Sequence, residues 1–246
     1  MMNRTLTERM ARLFRGLCLL CLLAAVPAWT ADAKPKELPP LEFLAALREP
    51  LRTDTWGEIT GTITYNGAKK QRKSGDLRVR ITFTPTSMAA QVTLNDVNVY
   101  GFEQTHAENN KVKSFLDMPS DEQAPGLFEF GITPEDLTFS FIYWDFIEEL
   151  PRSRSRMNEC RVMRLADPNG KGTVQVWFSA EYGFPMEAWW FRPGENRPWR
   201  KLIMKGAKRY ENGLWFVKEM RMDGDDWKTR VVFDFAQLKT VGGGRD

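Results

Sequence analysis

Few side chains in this 246-residue chain stand where they could do chemistry. His106 is the only histidine, in the polar stretch Gly101 to Lys111. It excludes a multi-histidine metal site and would have to serve alone in any Ser-His-Asp or Cys-His arrangement. Its polar surroundings favour a surface residue. Asp145, Glu148 and Glu149 offer carboxylates for a glycoside-cleaving pair, although at a helix end such residues are usually solvated charge. Asp223-Gly224-Asp225-Asp226 lacks the spacing and distal glutamate of a calcium loop and reads as a hairpin turn. No glycine-rich phosphate loop occurs, and the one CxxC, Cys18 to Cys21, lies inside an apolar run near the N-terminus. The expectation is a protein that is not an enzyme and holds no cofactor and no metal. Two basic runs remain: Lys69, Lys70, Arg72 and Lys73, and Arg152, Arg154 and Arg156. They are solvated edge or loop charge, or they dock an acidic partner or anionic lipid headgroups.

The elements that would position these groups are mostly strands. Cys160 to Phe191 reads as three strands. Asn169-Gly170 lies in the first turn, and Asn-Gly is a strong hairpin signal. Val174, Val176 and Phe178 face one way and Trp177 the other. In the next strand Met186, Ala188 and Trp190 oppose Trp189 and Phe191. A sheet with one wet face alternates apolar with polar, whereas both faces here carry large apolar groups. A second layer, a helix or an apolar ligand is expected to cover the second face. Trp56 to Tyr65, Leu77 to Phe83, Ala90 to Leu94 and Val97 to Gly101 alternate as strands, with a turn at Asn66-Gly67. Leu202 to Tyr210 and Leu214 to Met222 flank a turn at Asn212-Gly213, and Trp227 to Phe235 is the last strand. About ten strands joined by short turns make an antiparallel meander. Leu41 to Leu51 reads as a short amphipathic helix, with Pro50 against its last turn. Gly126 to Leu150 breaks the rhythm. Thr133 suits an N-cap, Pro134 the first helical position, and Glu135 and Asp136 the N-terminal dipole. Leu137, Phe139, Phe141, Ile142, Tyr143, Trp144 and Phe146 then cover nearly every side, so the helix must be buried or must cap an apolar space. Part of it also alternates as a strand would.

The ends and the composition set the compartment. Arg4, Arg9, Arg12 and Arg15 precede an apolar run from Leu17 to Val26 that is too short to span a membrane. Ala31-Asp32-Ala33 offers a cleavage site, so residues 1–33 read as a signal peptide and residues 34–246 as one exported domain. Cys18 and Cys21 fall in the leader, which leaves Cys160 as a buried thiol without a disulfide partner. The chain carries a formal charge of +3. The leader's four arginines against Glu8 and Asp32 account for most of it, which removes the support for a nucleic-acid partner. The Gly242-Gly243-Gly244 tail is expected to be disordered.

Gly131-Ile-Thr-Pro-Glu-Asp-Leu137 leading into an aromatic helix, the Cys160 strand, the hairpin Val174 to Phe191 and the closing run Trp215 to Phe235 together resemble the outer-membrane lipoprotein-sorting family. These are the LolA-like periplasmic carriers. The resemblance spans Trp56 to Phe235. It implies a mainly β fold with a few helices: an antiparallel open half-barrel with a helical lid over an apolar cavity. It implies a periplasmic carrier that binds lipoprotein acyl chains or another lipid and sorts them towards the outer membrane. An inner-membrane donor and an outer-membrane acceptor would be its protein partners, and a monomer is expected. It also implies an early-strand arginine holding the lid; Arg78 and Arg80 are the candidates, although alternation puts both opposite Val79 and Ile81. The residues expected to line cavity and lid are Phe128, Phe130, Leu137, Phe141, Trp144, Trp177, Trp189 and Trp215. Met186, Met204, Met220 and Met222, with Trp190, supply adaptable apolar surface. Two other readings stand beside this one. One is an envelope protein-binding module of the same fold, using the Arg152 to Arg156 face without lipid transfer. The other is a hydrolase using Asp145 with Glu148 or Glu149.

Overall fold

Strands that alternate apolar with polar residues bury one face, and among the described residues twelve strands pair in one sheet. The computed structural model describes residues 37–48, 54–68, 71–106, 112–117, 126–210 and 215–240. The proposed leader, Lys69, Lys70, the Asn212-Gly213 turn and the glycine tail lie outside these residues, as do the side chains of His106 and Trp215. The strands are β1 (Thr55–Asn66), β2 (Arg72–Phe83), β3 (Ser87–Leu94), β4 (Asn98–His106), β5 (Val112–Asp117), β6 (Asp145–Ser155), β7 (Asn158–Ala166), β8 (Thr173–Ser179), β9 (Pro185–Phe191), β10 (Arg200–Arg209), β11 (Trp215–Gly224) and β12 (Lys228–Thr240). Their order is β5-β4-β3-β2-β1-β12-β11-β10-β9-β8-β7-β6. Every pairing is antiparallel. Two meanders are thus joined where β1 meets β12, and β5 and β6 are the edges of the sheet among the described residues. The chain is mainly β and antiparallel, as the alternation predicts, and the sheet is open, as the resemblance implies.

That topology dictates the cover. The chain must pass from one edge, β5, to the other, β6, and it does so across the apolar face. Residues 127–143 supply a 3-10 turn (Leu127–Phe130), the short helix α2 (Pro134–Thr138) and a second 3-10 turn (Ser140–Tyr143). The N-terminal helix α1 (Pro40–Arg48) buries Phe43, Leu44 and Leu47 beside them. Leu127, Phe130, Ile132, Leu137, Phe139, Phe141 and Ile142 join the strand residues Ile63, Val79, Val92, Met163, Val176, Met204 and Val231 in one continuous core.

The single aromatic helix expected across Gly126 to Leu150 is therefore corrected. Phe139 takes a left-handed conformation, with φ +55°, which caps α2 after five residues. Thr138 turns its hydroxyl back onto the Pro134 carbonyl at 3.0 Å, a local bond that favours ending a helix over extending it. From Asp145 onward the chain is the edge strand β6. Phe139 and Phe141 are buried in the core, and Tyr143, Trp144 and Phe146 are half-buried against it. With β5 this brings the strands from the expected ten to twelve.

The second apolar face is closed by its own side chains. Cys160, Val162 and Trp177 form a separate cluster with Leu150, Met186 and Trp189. The Trp177 and Trp189 rings lie 4.5 Å apart, and the Lys201 ammonium sits 4.0 Å over Trp189. Trp177 Nε1 donates to Ser153 Oγ at 3.4 Å, and Trp189 Nε1 to Glu187 Oε2 at 3.2 Å. Paired indoles with their N–H groups satisfied and a lysine stem laid across them can face water without a covering layer.

Candidate functional site

The cover is held by polar anchors set into the apolar core. Asp136, third in α2, accepts the Thr133 N–H at 2.8 Å and so closes the first turn. The same carboxylate takes a two-pronged contact from Arg200 of β10, at 3.0 and 2.8 Å. Both are buried, Asp136 being 1% and Arg200 9% exposed. The Arg200 guanidinium also lies 4.2 Å over the Trp190 ring, whose edge meets Phe141 at 5.2 Å. Arg48, at the end of α1, donates to the carbonyls of Ile142 at 2.8 Å and Trp144 at 2.6 Å. Arg161 of β7, 2% exposed, grips Glu149 with two bonds of 2.7 and 2.8 Å. It donates a third to the Leu38 carbonyl at 2.7 Å and stacks on Phe43 at 4.4 Å. Tyr100 Oη accepts the Leu127 N–H at 2.6 Å, and Thr229 Oγ1 donates to the Phe130 carbonyl. Gly131, with φ +68°, leaves room for the Trp227 ring, which a Cβ would meet at 2.5 Å.

Arg78 and Arg80 do none of this. They stand on the outer face, 3.8 and 3.2 Å from Glu58. The arginines that tie down the cover are Arg48, Arg161 and Arg200, each reaching a partner distant in sequence. No local signal pointed to Arg200; Asp136 at the third helical position marked only the helix start. Glu149 is held by Arg161 and Glu148 pairs with Arg164. Two of the three carboxylates considered for glycoside chemistry, Glu148 and Glu149, are thus tied to arginines of β7.

The eight residues expected to line cavity and lid separate in space. Phe130, Leu137 and Phe141 belong to the cover and are buried in the main core. Trp144 is half-buried against it, and Phe128 is 42% exposed with its ring edge on Tyr100. Trp177 and Trp189 belong to the cluster on the opposite face. Trp215 opens β11.

Three hairpins that are remote in sequence make a pocket of about 460 Å³ at one end of the sheet. The β6–β7 turn gives Met157, the β8–β9 turn gives Tyr182 and Phe184, and β9 to β11 give Met186, Met204, Ala207, Phe216 and Val217. Met204, Phe216 and Val217 belong to the main core, so its packed side chains form the floor. Phe178 pairs with Pro185 and Trp177 with Glu187. Met186 is thus the extra residue of a bulge; it packs with the Trp177 cluster rather than with Ala188 and Trp190. Gly183 brings the β8–β9 turn against α1, where a Cβ would stand 2.7 Å from Leu47 Cδ2. None of the eight expected residues lines this pocket, but two of the four methionines do. Met220 and Met222 are core, at 1% and 0% exposure. The volume lies within the 300–1,000 Å³ usual for small-ligand sites, and a mainly apolar lining with a few polar groups is their usual chemistry.

No family model matches the chain, and no curated protein matches it in sequence. Solved structures do match in fold. A domain described as belonging to an outer membrane lipoprotein-sorting protein from Vibrio parahaemolyticus superposes with a TM-score of 0.56 at 11% identity, covering 78% of this chain and 87% of that one. A DUF1329 family protein from Desulfovibrio piger gives 0.54 at 12% identity, over 79% and 88%. A LolA superfamily protein from Nitrosomonas europaea gives 0.52 at 9% identity, over 78% and 90%. The open sheet with its helical cover is the fold that these three solved structures share.

Proposed function

We propose that this chain is an acyl-chain carrier. It takes hydrocarbon from a lipoprotein or another lipid into the pocket at the end of the half-barrel, shields it from water and passes it towards the outer membrane. The observation that carries this reading is the 460 Å³ pocket itself, walled by methionine and aromatic side chains and floored by the core. Methionines adapt to a mobile chain as rigid branched residues do not. Each methylene removed from water contributes about 0.8 kcal/mol, so a tail burying roughly eight of them gains about 6 kcal/mol gross. Association offsets on the order of 4 kcal/mol or more of that. The result is weak, exchangeable binding, as a carrier that must also release its cargo requires. The basic and apolar leader with Ala31-Asp32-Ala33 supports work in the periplasm.

A second reading, a partner-binding module without lipid transfer, draws on the β6 edge. Among the described residues that strand has one unpaired side, and it exposes Arg152 and Arg154, a surface suited to an acidic partner. Native mass spectrometry of the protein purified from an envelope fraction, followed by organic extraction, separates the two. Co-purifying lipid or acylated peptide supports the carrier. A clean apo mass that no added lipid shifts, with salt-sensitive capture of a protein, selects the module.

A further inference from the structure

The mouth of the apolar pocket carries two opposite charges that the fold does not use. Arg156 and Glu181 both line it. Nearby, Arg152 pairs with Glu159 and Lys205 with Glu219. Arg156 and Glu181 have no ion-pair or side-chain hydrogen-bond partner among the described residues. Arg156 also stands where sequence would not put it. Ser155 pairs with Asn158, so Arg156 and Met157 form a two-residue hairpin loop, and Arg156 has φ +58°. Such positions favour glycine, asparagine or aspartate. A long cation held in that conformation beside a ligand-sized pocket points to a role for the side chain. Its neighbour Met157, 94% exposed, is a bare apolar group on the same rim.

We infer that the pocket's ligand is a zwitterionic phospholipid whose hydrocarbon lies on the methionine and aromatic wall, whose phosphate meets the Arg156 guanidinium and whose ammonium meets the Glu181 carboxylate. The inference rests on the acyl-carrier reading and adds the headgroup. A guanidinium presents paired N–H donors that match phosphate oxygens. A headgroup that is anionic only would satisfy Arg156 but leave Glu181 facing like charge. A fatty acid would leave Glu181 without a partner. A phosphate followed by a primary ammonium answers both.

The test incubates the purified protein with vesicles of equal parts phosphatidylethanolamine and phosphatidylglycerol. Native mass spectrometry then reads which lipid is bound, and monopalmitoylglycerol serves as an uncharged acyl probe. The wild type should favour phosphatidylethanolamine by about tenfold or more, the change expected when a charged hydrogen bond is made or lost. Arg156→Gly suits φ +58° and so keeps the loop; it should remove most phosphatidylethanolamine uptake yet leave the uncharged probe bound. Glu181→Gln should shift preference towards phosphatidylglycerol. Equal uptake of both lipids by the wild type, or unchanged preference in both variants while the uncharged probe still binds, overturns the headgroup assignment and leaves the carrier standing. Failure of the wild type to bind any probe overturns both.

Discussion

Replacing Arg200 with leucine removes the tie between α2 and β10. The loss has three parts: two charged hydrogen bonds of 2.8 and 3.0 Å to Asp136, the stacking on Trp190, and the neutralisation of a carboxylate that is only 1% exposed. The last part dominates, because an unpaired buried charge is far costlier than a missing bond. Breaking one side of such a pair costs about 3–5 kcal/mol. At 1.4 kcal/mol per factor of ten, opening of the cover rises by roughly a hundredfold to a thousandfold or more. Native-state hydrogen exchange of the amides in 127–143 reads the opening, and thermal melting reads whether the whole sheet follows. Arg200→Leu combined with Asp136→Leu removes both charges and should recover much of the loss, as apolar replacement of a buried pair generally does. A single-variant effect under about 1 kcal/mol, the range of solvent-exposed pairs, would refute the reasoning. So would a double variant no better than the single ones.

Tyr100→Phe leaves the buried Leu127 N–H without its acceptor; it should cost about 1–3 kcal/mol and speed exchange at that amide, and unchanged protection would count against the anchor. Glu219 lies 2.7 Å from Arg230 and 3.4 Å from Lys205, and the hydrogen bond from Arg230 first, with both positive charges helping and partial burial opposing, holds its carboxyl below the ordinary glutamate range. Its stabilisation is complete above that range and fades as pH falls through the lowered value. The wild type should therefore lose more stability on acidification than Glu219→Gln, the two converging once the carboxyl is protonated; parallel denaturation curves across acid pH would contradict this. Burial pushes the Cys160 thiol up, and its side chain is 0% exposed. Iodoacetamide should leave it unmodified in the native protein at neutral pH and alkylate it in denaturant; rapid native labelling would place it elsewhere.

Where sequence and fold agree, the local pattern carried the information. Leu77, Val79, Ile81 and Phe83 alternate, and so β2 could be read. Thr133, Pro134 and Asp136 signal a helix start, and one starts there. The Asp223 to Asp226 turn is a hairpin, with the Gly224 N–H on the Trp227 carbonyl at 2.9 Å. Where they disagree, the deciding partner was distant. Leu137 to Phe146 looked helical because its apolar residues cover every side, but the left-handed Phe139 ended the helix, the cover runs on to Tyr143, and pairing with β7 makes a strand from Asp145 onward. Met186 slipped from its alternation face through a bulge that only pairing with β8 fixes. Arg200 meets Asp136 across 64 residues and Arg161 meets Leu38 across 123; no spacing rule spans such gaps. The pocket combines three hairpins, each unremarkable alone. The solved structures that match share the sheet at 9–12% identity, so they fix the architecture and leave this mouth to be read from its own residues.

The central claim, that the pocket at the end of the sheet takes up an acyl chain, is tested most directly by filling it. Ala207 lines the pocket yet is exposed, so Ala207→Trp occupies the space without removing a core side chain. Titration of wild type and variant with a fluorescent acyl probe, alongside their melting curves, is the measurement. Saturable binding by the wild type, abolished in a variant that melts at the same temperature, is the predicted result. A wild type that binds no probe, or a variant that binds as well as the wild type, would contradict the account.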